Sequence, residues 1–103
     1  MNYIENIKIA LAKELDWDIS QVNEYTPLLD LYVLLVFTVG KNCTLEHIHD
    51  AWSVWCNNRD KDHRSLKPFE QLALDVQELD RKYRDAVVKV AHAKTDKTKI
   101  ILK

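Results

Sequence analysis

The chain has 103 residues, 47% hydrophobic and 30% charged, with one Gly and two Pro. That length suits one domain over 1–103 with a buried core, and so little Gly and Pro argues against disorder and against a turn-rich all-β fold. The net charge of −1 hides an asymmetry: from Arg81 onward eight Lys or Arg face two acidic residues, whereas residues 1–80 carry seven basic and fourteen acidic groups.

Met1 to Lys8 carries charges where a signal peptide needs an uninterrupted apolar stretch. The most apolar run, Leu31 to Val39, is far short of the roughly 20 residues of a membrane span. A cytoplasmic protein is expected, with Cys43 and Cys56 as buried or idle thiols of a reducing compartment rather than a disulfide.

In chain order, residues 2–15 read as a first helix, with Ile4, Ile7, Leu11 and Leu15 on one face, Asn2 as cap and Glu5 completing a capping-box pattern. Asp16 to Tyr25 is expected as a loop anchored by Trp17 and Ile19. Thr26 as cap and Pro27 at the first helical position open a central buried helix that ends at Gly40, the only glycine. Its β-branched residues would also suit a buried strand; helix is the preferred reading.

Thr44 caps a third helix to about Asn57, with Leu45, Ile48, Trp52 and Trp55 on one stripe and His49 and Cys56 beside it. Asn57 to Arg64 is the strongest loop signal. Pro68 opens a short helical turn through Leu72. The last long helix is expected from about Asp75 to Ala93, with Val76, Leu79, Tyr83, Val87 and Val90 inward and acids leading bases along it, as the helix dipole favours. The tail 95–103 either frays or, through Ile100-Ile101-Leu102, forms a short strand or a segment that pairs with another chain.

The expected fold is therefore mainly α: a compact four-helix domain with a long central loop at 57–67 and a short C-terminal strand as an option for the tail. Trp52, Trp55, Leu34, Leu35, Val87 and Val90 should be largely buried. The acidic body, basic C-terminal part and apolar tail point to a homo-oligomer.

No CxxC, HxxxH or HExxH spacing occurs, so no metal ligand set and no cofactor are expected. His49 and Cys56 stand two helical turns apart, too far for a nucleophile and its base, and a non-enzymatic protein is expected. A basic face of Arg81, Lys82, Arg84, Lys89, Lys94, Lys97 and Lys99 lacks the base-reading groups that would make nucleic acid a partner.

One constellation carries more. His49-Asp50-Ala51-Trp52-Ser53, followed by His63-Arg64-Ser65-Leu66-Lys67-Pro68-Phe69-Glu70-Gln71-Leu72 and then Asp80-Arg81, resembles the ryanodine-receptor-type repeat (RyR) domain over about residues 47–91. It is also similar to a group of small bacterial and bacteriophage proteins that share the His-Asp-Ala-Trp-Ser opening. Asn57 to Asp62 is shorter than the corresponding family stretch and lacks its Gly-Trp-x-x-Gly.

The resemblance implies an accessory domain that binds a nucleotide-derived signalling ligand, such as a cyclic nucleotide or ADP-ribose derivative. In a phage, such a protein would act in the host cytoplasm as a sponge that sequesters an immune second messenger. Trp52, Trp55 or Phe69 would then stack on the base. His49 and His63 would bond the base edge or a phosphate, and Arg59, Arg64, Lys67, Arg81 and Arg84 would supply cations. The alternatives stay open: His49, Trp52, Pro68 and Phe69 simply hold a helix pair together, or the Trp52–Phe69 region docks a host or phage protein.

Overall fold

The structure, a computed structural model, describes the backbone of residues 1–101 and the side chains of residues 1–94. Among these the regular elements are helical: α1 (Tyr3–Glu14), α2 (Ile19–Glu24), α3 (Thr26–Thr38), α4 (Leu45–Asn57), α5 (Leu74–Glu78) and α6 (Arg81–Ile101), with 3-10 turns at Gly40–Asn42 and Phe69–Gln71. The four long helices make the compact α-helical body. α3 runs through its middle, packed against α1, α4 and α6.

α1 begins where Asn2 Oδ1 accepts from the Glu5 backbone N–H at 2.9 Å. It ends in a Schellman turn, with Asp16 at φ 56°, Asp16 N donating to Lys13 O and Trp17 N to Ala12 O. That turn throws Trp17 back against the core. The next stretch is helical where a loop was expected. Asp18 and Gln21 form a reciprocal capping box, which nucleates α2. Ile19 does not anchor it; the side chain is 79% exposed.

α3 starts one residue earlier than the Thr-Pro signal suggests. Tyr25 is its cap, and Thr26 Oγ1 donates backward to Val22 O at 2.6 Å instead of capping. Gly40 follows the helix at φ +53°, the left-handed conformation that glycine adopts freely. α3 is buried as expected on all but one stripe: Leu29, Tyr32, Val33 and Val36 are inside, Leu31, Leu35 and Phe37 are half-buried, and Leu34, on the stripe with Pro27, Asp30 and Thr38, is 55% exposed. Three neighbouring helices cannot sheath a fourth in so small a domain, so apolar residues reach its open side.

α4 matches its expected bounds. Thr44 Oγ1 accepts from His47 N, and His47 Nδ1 accepts from Thr44 N in return. Ile48, His49, Ala51 and Cys56 are buried, whereas Trp52 and Trp55 are only half-buried.

The last helix is not continuous. Gln77 Nε2 donates to Phe69 O and Leu72 O, both at 3.1 Å, which holds α5 to the preceding 3-10 turn. The chain turns at Leu79-Asp80 before α6 begins. Val87 and Val90 of α6 are buried as expected. α6 continues through Ile101, so the optional C-terminal strand is not formed at Ile100-Ile101. A helix once started gains a bond with each added residue, while a strand needs a partner that no described segment offers. The side chains of Ile100, Ile101 and Leu102 lie outside the described residues.

Candidate functional site

The mixed burial of Trp52 and Trp55 has a geometric cause. Both face a cleft of about 530 Å³, closed on its other sides by Trp17, Gln21 and Tyr25 from the α2 region, Leu28 and Tyr32 of α3, and Leu72, Val76, Leu79, Asp80 and Tyr83 around α5 and the start of α6. His49, His63 and Ser65 complete the wall. That volume lies in the range of small-molecule sites, and the mix of apolar walls with a few polar groups is theirs too.

Six aromatic side chains line it, and they brace one another. Trp17 meets Tyr25 and Tyr83 with centroids 5.7 and 6.3 Å apart, Tyr25 meets Trp55 at 5.8 Å, and Tyr32 meets Tyr83 at 5.5 Å. His49 stacks on Trp52 at 5.7 Å, and His63 sets its edge against the same indole at 5.0 Å. Rings held in this way present flat faces at little further entropic cost.

His49 is 4% exposed. Its Nε2 lies 2.7 Å from Lys67 O; a carbonyl only accepts, so Nε2 carries the proton. Ser53 Oγ stands 3.4 Å from the same nitrogen, and Phe69 packs on the ring at 6.1 Å. His49 and Phe69 thus hold the 58–68 loop against α4, which is the packing reading of these two residues. His63 Nδ1 accepts from Ser65 N at 3.0 Å, leaving Nε2–H as its donor in the neutral ring.

Asp80 is the carboxylate on the wall. Burial pushes it up to about 6, with His49 acting in the opposite direction. Burial, Tyr83 and Asp80 together push the Tyr32 phenol well above its ordinary value, and burial and Asp80 raise Tyr83 likewise. At neutral pH the cleft therefore holds phenols as hydroxyls beside a mostly ionised acid.

The expected cations are elsewhere. Arg59 lies over the outer partner Trp55 at 4.7 Å and lines a separate groove with Glu24, Pro27 and Leu31. Arg64 is exposed and off the cleft wall, and Lys67 lines an open hollow with Asp50 and Lys61. Arg81 is engaged by Glu78 at 2.7 Å. Arg84 donates to Cys43 O at 3.2 Å and pairs with Asp85. The structure thus brings together His49, Trp52 and His63, and leaves Arg59, Arg64, Lys67, Phe69, Arg81 and Arg84 outside the cleft. Sequence reasoning missed Trp17, Tyr25, Tyr32, Tyr83 and Asp80. The available signal was Asp80 three residues before Tyr83, which puts an acid and a ring one helical turn apart.

Cys43 and Cys56 are free and buried, and burial lifts the Cys43 thiol to about 11. Among the described residues no group of three or more His, Cys, Asp or Glu is arranged to hold a metal, and no helix is long and apolar enough to cross a membrane.

These features define a mostly helical domain with an aromatic cleft that carries a carboxylate, Asp80. The chain belongs to the DUF7701 family, a domain of unknown function whose profile matches residues 2–92 and so spans every residue of the cleft wall. No curated protein and no solved structure matches it.

Proposed function

We propose that this protein captures a nucleotide-derived ligand without turning it over, by stacking the base in the aromatic cleft. The observation that carries the reading is the convergence of six aromatic side chains with Asp80, His49 and His63 on one cleft. Base–aromatic stacking contributes roughly 1–3 kcal/mol per base, and polar edge groups then select among bases. Because the charged wall residue is an acid, the base rather than the phosphate drives binding. Arg59, over the Trp55 ring, would meet a phosphate left at the mouth.

Sequestration of a signalling nucleotide in a cytoplasm, as a phage sponge of RyR-like descent would do, extends the same reading. So does self-association of the acidic body with the basic α6, for which light scattering at 12.1 kDa would be the contrary result.

A second reading draws on Leu79, which lines the cleft yet is 69% exposed. An apolar side chain of a protein partner would pack there, making the domain an interaction module. Thermal unfolding against a panel of nucleoside monophosphates, cyclic dinucleotides, ADP-ribose and its cyclic isomers separates the two. At a hundredfold excess over Kd a bound ligand adds about 2.7 kcal/mol, a rise of roughly 10–20 °C in Tm for a domain of this size. A panel without any shift favours the interaction module.

A further inference from the structure

Three helices here start on a side-chain cap: Asn2, Asp18 and Thr44 each accept a backbone N–H of their own first turn. Asp80 stands in the same place ahead of α6, with a side chain well suited to the task. Yet among the described residues nothing donates a hydrogen bond to its carboxylate, and it forms no ion pair. It lies instead on the cleft wall, in the field of His49 and near enough to Tyr32 and Tyr83 to raise both phenols. A half-buried acid that neither caps its helix nor pairs with a cation has its acceptors free for something in the cleft.

We propose that Asp80 reads two adjacent N–H groups on the edge of the stacked base, and that the ligand is therefore of the guanine type. The inference rests on the stacking reading above. An ionised carboxylate only accepts, and its two oxygens take a coplanar pair of N–H donors side by side. Guanine offers such a pair in N1–H and its 2-amino group. Adenine sets the lone pair of N1 beside its 6-amino group, and cytosine sets N3 beside its 4-amino group, so each turns an acceptor toward the acid. Hypoxanthine keeps N1–H and lacks the second donor. The carbonyl next to guanine N1–H needs a donor in turn, and the Tyr hydroxyls and His63 Nε2–H are donors on the same cleft.

Calorimetry at pH 7.5 with the 5′-monophosphates of guanosine, inosine and adenosine tests this, on the unaltered protein and on Asp80→Asn. The guanosine compound should bind about tenfold to a hundredfold tighter than the adenosine one, with the inosine compound between. Asp80→Asn should lose that order while keeping its helical circular dichroism and a Tm at least as high as the parent. Adenosine monophosphate binding as tightly as guanosine monophosphate, or the preference surviving in Asp80→Asn, overturns the inference and leaves base stacking standing. Methylguanidine binding as tightly as the guanosine compound also overturns it, in favour of simple cation capture. No heat from any nucleotide overturns both readings.

Discussion

His49 Nε2 donates to the carbonyl oxygen of Lys67 at 2.7 Å, joining α4 to a residue 18 positions further along the chain. The bond explains why a histidine is tolerated at 4% exposure among Ile48, Ala51 and Cys56. It also ties one wall of the cleft to a loop built of consecutive turns, His63 N donating to Asp60 O and Leu66 N to His63 O. Replacing His49 by Ala leaves the Lys67 carbonyl without its donor and Trp52 without its stacking partner. The expected loss is about 1–3 kcal/mol, or roughly 4–8 °C of Tm for each kcal/mol. An unchanged melting curve would contradict this role.

His63 and Arg64 are neighbours in sequence with opposite expected phenotypes. His63 lines the cleft and buttresses Trp52, so His63→Ala should weaken ligand binding severalfold with a small change in Tm. Arg64 is exposed and off the wall, so Arg64→Ala should bind as the parent does. Calorimetry on the pair checks both, and a larger effect at Arg64 would relocate the site to the loop.

The acid on the cleft predicts a pH dependence of stability. Asp80 is raised from an ordinary 3.8 to about 6, so the unfolded chain releases this proton at lower pH than the folded one. The contribution is therefore complete below pH 4 and lost as pH rises through about 6. Asp80→Asn should flatten that fall and raise Tm at pH 8. The gain should be on the order of 1 kcal/mol, since solvent screens a half-exposed carboxyl. Tyr32, Tyr83 and His49 face the same group, and both phenols, raised by burial, keep their protons at pH 8 in the variant and the parent alike. An Asp80→Asn protein less stable than the parent at pH 8 would contradict the account.

Much of the fold was legible, and its legibility follows from local chemistry. Asn2, Thr44 and Gly40 announce helix ends by side-chain capping or left-handed backbone, interactions that span a few residues and so can be read from neighbours. The Asp18–Gln21 box obeys the same rule, but the mixed character of Asp16 to Tyr25 carries no apolar stripe that would mark a helix behind it. The break at Leu79-Asp80 was not legible, because it depends on Gln77 reaching back to Phe69 and Leu72. The site was half legible for the same reason. His49, Trp52 and His63 come from one continuous region, whereas Trp17, Tyr25, Tyr32 and Tyr83 reach the cleft only once α3 and α6 are packed. Of the expected cations, Arg81 is held by Glu78, Arg84 by Asp85 and Cys43 O, and Arg59 by the Trp55 ring, contacts made only in the folded chain.

Leu29 and Leu34 make the central helix testable. Leu29 is fully buried, and Leu29→Ala should cost about 2–5 kcal/mol. Leu34 is more than half exposed, and Leu34→Ala should stay within roughly 0.5 kcal/mol of the parent. Urea unfolding of both variants reads the difference; equal losses would mean that α3 is enclosed on every side.

At Gly40 the difficulty is backbone conformation rather than space. A Cβ there would stand 3.6 Å from Ala91 Cβ, an ordinary contact, but at φ +53°. Gly40→Ala should therefore cost roughly 1–2 kcal/mol, and Gly40→Asn should cost less because Asn tolerates that conformation better. The order of the two midpoints in urea is the check.

The most direct measurement uses the chain's own chromophores. The sequence holds three tryptophans, and Trp17, Trp52 and Trp55 all line the cleft. A base stacked there lies among the rings that give the protein its tryptophan emission. Titration with the 5′-monophosphates of guanosine, inosine and adenosine while tryptophan emission is recorded should give a saturable quench, reached at the lowest concentration with the guanosine compound and retained in Arg64→Ala. Emission that stays flat with all three nucleotides, beyond the inner-filter correction, would contradict the claim that this cleft is a base-binding site.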